Sequence, residues 1–142
     1  MTPIENLHYA IGELAYAIAR ADGEVQKEER QKFCDIVAEE IDSQNYHFDI
    51  SSIIFQIMDK DNEPAELAYS RAIKQIHENS HYLSPQLKET FFKVMDKIAK
   101  AYPPVTHEES NLMKRFKEEL ESLNGDPVYY NSISSEKHLN IK

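Results

Sequence analysis

The chain has 142 residues and a formal net charge of −9, from 25 acidic and 16 basic side chains. That length holds one domain with one core. The charge, with no basic run of four or more, disfavours a nucleic-acid role and favours cations or basic protein surfaces as partners. Hydrophobic residues make up 41% and charged residues 29%, as in folded soluble proteins, and the apolar runs are too short for direct membrane insertion. Met1-Thr2-Pro3-Ile4-Glu5 lacks the basic flank and apolar stretch of a signal peptide, and Cys34 is the single cysteine, so a cytoplasmic location is expected.

Six segments carry apolar residues at helical spacing, and none shows sustained strand alternation. The first presents Leu7, Ile11, Leu14 and Ile18 and is stopped by Asp22-Gly23, where glycine can take the left-handed conformation that closes a helix. The second presents Phe33, Ile36, Val37 and Ile41. The third opens at Asp49, a good N-cap, and presents Ile50, Ile53, Ile54, Ile57 and Met58. Asp59–Glu63 reads as a polar connector, and Pro64 suits the first turn of a fourth helix with Tyr69, Ala72, Ile73 and Ile76. Ser84-Pro85 opens a fifth, with Leu87, Phe91, Val94, Met95 and Ile98, which Pro103-Pro104 ends. Thr106 and Glu109 have capping-box spacing at the head of a sixth, with Leu112, Phe116, Leu120 and Leu123, stopping near Asn124-Gly125. The reading is an all-α compact bundle of six or seven helices over residues 1–125. Residues 126–142 follow as a loosely ordered tail, from which Val128, Tyr129 and Tyr130 could dock.

A faint internal repeat runs through this pattern. An offset of 80 residues aligns Leu7 with Leu87, Ile18 with Ile98, Ala19 with Ala99 and Ala21 with Ala101. It continues through the turn, pairing Val25 with Val105, Glu28 with Glu108 and Glu29 with Glu109. Each copy is a helix, a tight turn and a second helix with an acidic first turn; any two helical hairpins share part of such a pattern.

The first of these turns, Ala21-Asp22-Gly23-Glu24-Val25-Gln26-Lys27-Glu28-Glu29, resembles the alanine-aspartate-glycine turn with a following glutamate found in the TerB-like family. That family includes tellurite-resistance proteins and the N-terminal domain of a membrane-anchored J-domain co-chaperone. The resemblance covers roughly residues 5–123. It implies an all-helical fold with two such hairpins and a cytoplasmic stress-response module, with divalent metal (calcium, magnesium or manganese) bound near the turns. Residue by residue it carries over Asp22 and Glu29, with Glu24 and Glu28 as neighbours, and Glu109 with Glu108 beside it. The chain departs from the pattern at Tyr102-Pro103, where a second Asp-Gly pair belongs, and at Gln26, where a capping serine or threonine belongs; the first departure removes one expected ligand.

The residues themselves admit two readings of these turns. Carboxylates gathered between two hairpins could give a hard cation its oxygens. Acids in the first turn of a helix also favour the positive end of its dipole without any metal. His77-Glu78-Asn79-Ser80-His81, on the predicted fourth helix, matches H-E-x-x-H, in which two imidazoles one turn apart bind zinc and the glutamate activates water; no glycine-histidine extension follows, and Glu89 or Asp96 could be the third ligand only if the hairpin brought them back. Asp59–Glu63 begins like a calcium loop and fails at Pro64, where that loop needs glycine. Cys34, beside the apolar stripe, reads as a half-buried or buried thiol. The expectation is a non-enzymatic module that binds a protein partner, with or without metal at the acidic turns. The alternatives are a metal-free interaction domain and a minimal zinc hydrolase.

Overall fold

The computed structural model describes residues 1–21, 23, 25–42, 48–101 and 105–131, the side chains of 29, 37–42, 48 and 49 excepted. The described residues form α1 (Pro3–Arg20), α2 (Lys27–Asp42), α3 (Phe48–Lys60), α4 (Ala65–Glu78), a 3-10 turn (Ser80–Tyr82), α5 (Pro85–Lys100) and α6 (His107–Glu121), and no strand. The all-α reading holds, with six α-helices and one short turn.

Helix ends follow the local chemistry. Thr106 and Glu109 make the expected reciprocal box at α6, and the Ser84 hydroxyl accepts from the Leu87 amide at 3.1 Å with Pro85 in the first position of α5. A second capping box, Thr2 with Glu5, opens α1, and the spacing Thr-x-x-Glu is its sequence signature. Three boundaries differ from expectation. α3 starts at Phe48, so Asp49 lies inside its first turn, and it runs through Asp59 and Lys60. It closes with Asn62 at φ +52°, where the Glu63 amide reaches Met58 O and the Asn62 amide reaches Asp59 O. This is a Schellman closure with asparagine in the place glycine usually takes. Pro64 is therefore the extended N-cap of α4, not a residue of its first turn. Gly23, at φ +142°, accepts at its carbonyl from the Arg20 guanidinium and turns the chain after α1 as predicted. Pro103-Pro104 lie outside the described residues.

α1 is the centre of the bundle. It packs chiefly on α4 and α3, with α5 and α6 against its remaining flank, while α2 lies on α5 and α3. The sequence suggested one apolar face, but from Ala10 to Ala19 every residue is buried. Alanines and Gly12 supply the other faces, and small side chains let neighbouring helices close in. The Ser51 hydroxyl donates to His8 O at 2.6 Å where α3 crosses α1.

α3 corrects the expected core. Ile53 and Ile57 are 53% and 48% exposed, while Ser51, Ile54, Phe55 and Met58 face inward. Both sets have helical spacing. Phe55 decides between them, because it stacks on Phe33 (centroids 4.1 Å apart) and meets Tyr16 edge-on at 5.9 Å.

The chain after α6 is tied back to the bundle. The Gly125 amide donates to Leu83 O at 3.1 Å and the Asp126 amide to His81 O at 2.9 Å. Residues 127–131 make a further helical turn, and Tyr129 stacks on His81 (5.1 Å) and against Tyr82 (5.4 Å). The docking expected of Tyr129 therefore occurs, while Val128 is exposed. Residues 132–142 lie outside the described residues.

Candidate functional site

A cleft of about 500 Å³ opens where the end of α1 meets the heads of α4 and α6. Ala21, Glu66, Glu108, Arg115 and Glu118 stand in its walls. It adjoins a second cleft of about 270 Å³ between α4 and α6, lined by Tyr69, Arg115, Glu118, Glu119 and Ser122. Arg115 and Glu118 belong to both, so the two make one groove along the α4/α6 seam.

Two side chains of α6 bridge that seam. The Arg115 guanidinium donates to Glu66 Oε1 at 2.6 Å and lies over the Tyr69 ring, 4.4 Å from its centroid. Hydrogen bonding to Glu66 holds the guanidinium still more firmly in its charged form. One turn further on, His77 Nε2 and Glu119 Oε2 are 2.9 Å apart. Tyr69 itself is 4% exposed, and its hydroxyl is buried with no hydrogen-bond partner. Burial lifts that hydroxyl above its ordinary titration range; Arg115 draws it down, while Glu119, Glu66 and Glu118 raise it further.

The groove receives part of the predicted acidic set. Glu108, in the first turn of α6, lines the larger cleft beside Ala21, so the ends of the two predicted turns reach the same wall. Glu109 is buried, and its Oε1 accepts from the Thr106 amide and hydroxyl at 3.2 and 3.0 Å. The box accounts for its burial without a metal. Glu28 lies exposed in the first turn of α2. Asp22, Glu24 and the side chain of Glu29 lie outside the described residues. Among the described residues no three His, Cys, Asp or Glu side chains converge closely enough to hold a metal ion.

The H-E-x-x-H segment does not lie on one helix as expected. α4 ends at Glu78 with Asn79 as its cap, so His77 is helical while His81 sits in the 3-10 turn, stacked on Tyr129. Pro85 fixes the start of α5 so soon afterwards that α4 has no room to continue. His77 faces Glu119, and Glu78 pairs loosely with Lys74 at 3.9 Å. Asp59 is the ion-pair partner of Arg30, and half-buried Cys34 has its Sγ 3.7 Å from Ser52 Oγ.

One titratable residue escaped the sequence reading. Glu13, in the middle of α1, is 2% exposed with Oε1 lacking a hydrogen-bond partner. Burial pushes its carboxyl up to about 7, against the pull of Arg71. Its signal was in plain view: it is the only charged residue between His8 and Arg20.

Fold and groove together define an all-helical class of domain, and among the described residues no helix is long and apolar enough to cross a membrane. The sequence model of the tellurite resistance protein TerB family matches residues 8–125. The chain belongs to that family. No curated protein and no solved structure matches it.

Proposed function

We propose that this TerB-family chain is a non-enzymatic stress-response module that binds a protein partner, with a divalent ion (calcium, magnesium or manganese) at the acidic end of its groove. The observation that carries this reading is the shared wall of the larger cleft, where Ala21, next to Asp22, and Glu108 come together from opposite halves of the chain. Hard cations need several oxygens at once. Glu108 would supply one of them, and the family resemblance names Asp22 as a further donor; Glu109 stays with its cap. A metal-free interaction domain is the second reading, favoured by Ile53 and Ile57, apolar and exposed one turn apart on α3.

Thermal melts of chelator-stripped protein with calcium, magnesium, manganese or zinc test the first reading, repeated on Asp22→Asn/Glu108→Gln. An ion at 100 times its dissociation constant should add about 2.7 kcal/mol, a shift of several degrees. A shift abolished by the double variant supports the metal at the cleft. No shift with any ion leaves the metal-free reading. A zinc-only shift that survives in the double variant but not in His77→Gln would instead revive hydrolase chemistry, and Glu78→Gln should then abolish hydrolysis while sparing zinc.

A further inference from the structure

The α4/α6 groove has the features of a seat for a cationic side chain. Its walls carry four carboxylates, Glu66, Glu108, Glu118 and Glu119, against two cations, Lys114 and Arg115. Glu66 is engaged by Arg115, and Glu119 faces His77. Among the described residues Glu108 and Glu118 enter no hydrogen bond or ion pair. The groove's excess charge is therefore negative and partly uncommitted, on a chain whose formal net charge is −9.

A second, independent feature points the same way. Tyr69 is nine-tenths buried, and it lines the smaller cleft with a hydroxyl that nothing satisfies. The charged groups that act on that hydroxyl, Arg115, Glu119, Glu66 and Glu118, all lie along the groove. An unpaired buried hydroxyl costs free energy that an incoming polar group would recover. Arg115 already displays the fit: its guanidinium rests on the Tyr69 face with the Glu66 carboxylate at its edge, on a side chain that is 47% exposed. A second guanidinium or ammonium arriving beside it would find Glu118 and the Tyr69 hydroxyl.

We propose that the groove between α4 and α6 seats an arginine- or lysine-bearing segment of a partner polypeptide, with Glu118 and Glu119 holding the cation and the Tyr69 hydroxyl completing its hydrogen bonds. This rests on the protein-binding half of the proposed function and supplies the chemistry of the partner. Fork-shaped guanidinium groups match paired carboxylates, and complementary charge sets both partner choice and encounter rate.

The test is a nuclear magnetic resonance titration of the full chain, labelled with nitrogen-15, with a short capped peptide of alternating alanine and arginine. Saturable shifts at the amides of Tyr69, Glu118, Glu119 and Ser122 are expected, and none with a peptide carrying glutamate in place of arginine. Glu118→Gln/Glu119→Gln should weaken binding roughly tenfold, as loss of a charge-assisted contact does. Tyr69→Phe should weaken it several-fold while leaving the melting temperature unchanged or higher, since it deletes an orphaned hydroxyl. The proposal fails if the arginine peptide moves no groove amide, if the glutamate peptide moves the same ones, or if either variant binds as well as the parent. Calcium shifting those same amides in place of the peptide would also overturn it and make the groove an ion site. A calcium-dependent melt requiring Asp22 and Glu108, without any peptide response, sinks this inference and leaves the metal reading; the converse removes the metal and keeps the inference.

Discussion

Gly12 and Ser51 meet backbone to backbone where α1 crosses α3: a Cβ built on Gly12 would stand 2.4 Å from the Ser51 carbonyl oxygen. Alanine would ordinarily gain about 1 kcal/mol over glycine inside a helix. Here the obstacle is backbone, which cannot rotate aside, and overpacking costs about 1–3 kcal/mol. Gly12→Ala should therefore be destabilising, lowering Tm by several degrees, and calorimetry showing a higher Tm would refute the close crossing.

The burial of Glu109 is explained by its box with Thr106, so the cap should be measurable without any ligand. Thr106→Ala removes the acceptor of the Glu109 amide and should cost about 1 kcal/mol. Glu109→Gln should cost less, because an amide oxygen still accepts from the Thr106 amide. Both penalties should be the same in chelator and in calcium. A cost for Glu109→Gln that appears only with calcium would make Glu109 a metal ligand instead.

α3 offers a direct comparison of its two apolar stripes. Phe55→Ala empties a site packed between Phe33 and Tyr16 and should cost about 3–5 kcal/mol. Ile53→Ala and Ile57→Ala, on the exposed stripe, should each stay within roughly 0.5 kcal/mol. Urea unfolding of the three variants ranks them, and equal costs would place Ile53 or Ile57 in the core.

That contrast shows how far the sequence was legible. Helical periodicity placed α1 to α6 but not the turn at 127–131, and Ser84, Thr106 and Gly23 act at the ends they were expected to mark. Periodicity could not choose between Ile53/Ile57 and Ile54/Met58, because both stripes satisfy it; the choice depends on Phe33, twenty to twenty-five residues away. Of the acidic set, spacing identified the capping role of Glu109 and the family resemblance brought in Glu108, but neither located the groove. Arg115, Tyr69 and Glu66 are ordinary helix residues in sequence and become a constellation only when α4 and α6 lie side by side. The H-E-x-x-H segment is divided between α4 and the 3-10 turn for a local reason, the helix end that precedes Ser84-Pro85.

Glu13 sets a pH dependence on the stability of the whole bundle. Tyr9 on its own helix and Arg71 on α4 are the titratable groups coupled to it, and Arg71 pulls its carboxyl down without offsetting burial. In the unfolded chain a glutamate titrates near 4.3, whereas in the fold this one is pushed up to about 7. The folded state thus holds a proton that the unfolded state has already released. The stabilisation from that proton is fully present below about pH 4.3, falls as pH rises, and is gone above about 7. The loss from this one group amounts to about 3 kcal/mol across that window. Glu13→Gln keeps the shape and cannot ionise, so its advantage over the parent should grow from pH 5 to pH 8. Chemical unfolding of both proteins at several pH values in that range measures the difference directly. A gap that stays constant with pH would mean that Glu13 is charged in the fold throughout, and that some group closer than Arg71 compensates it.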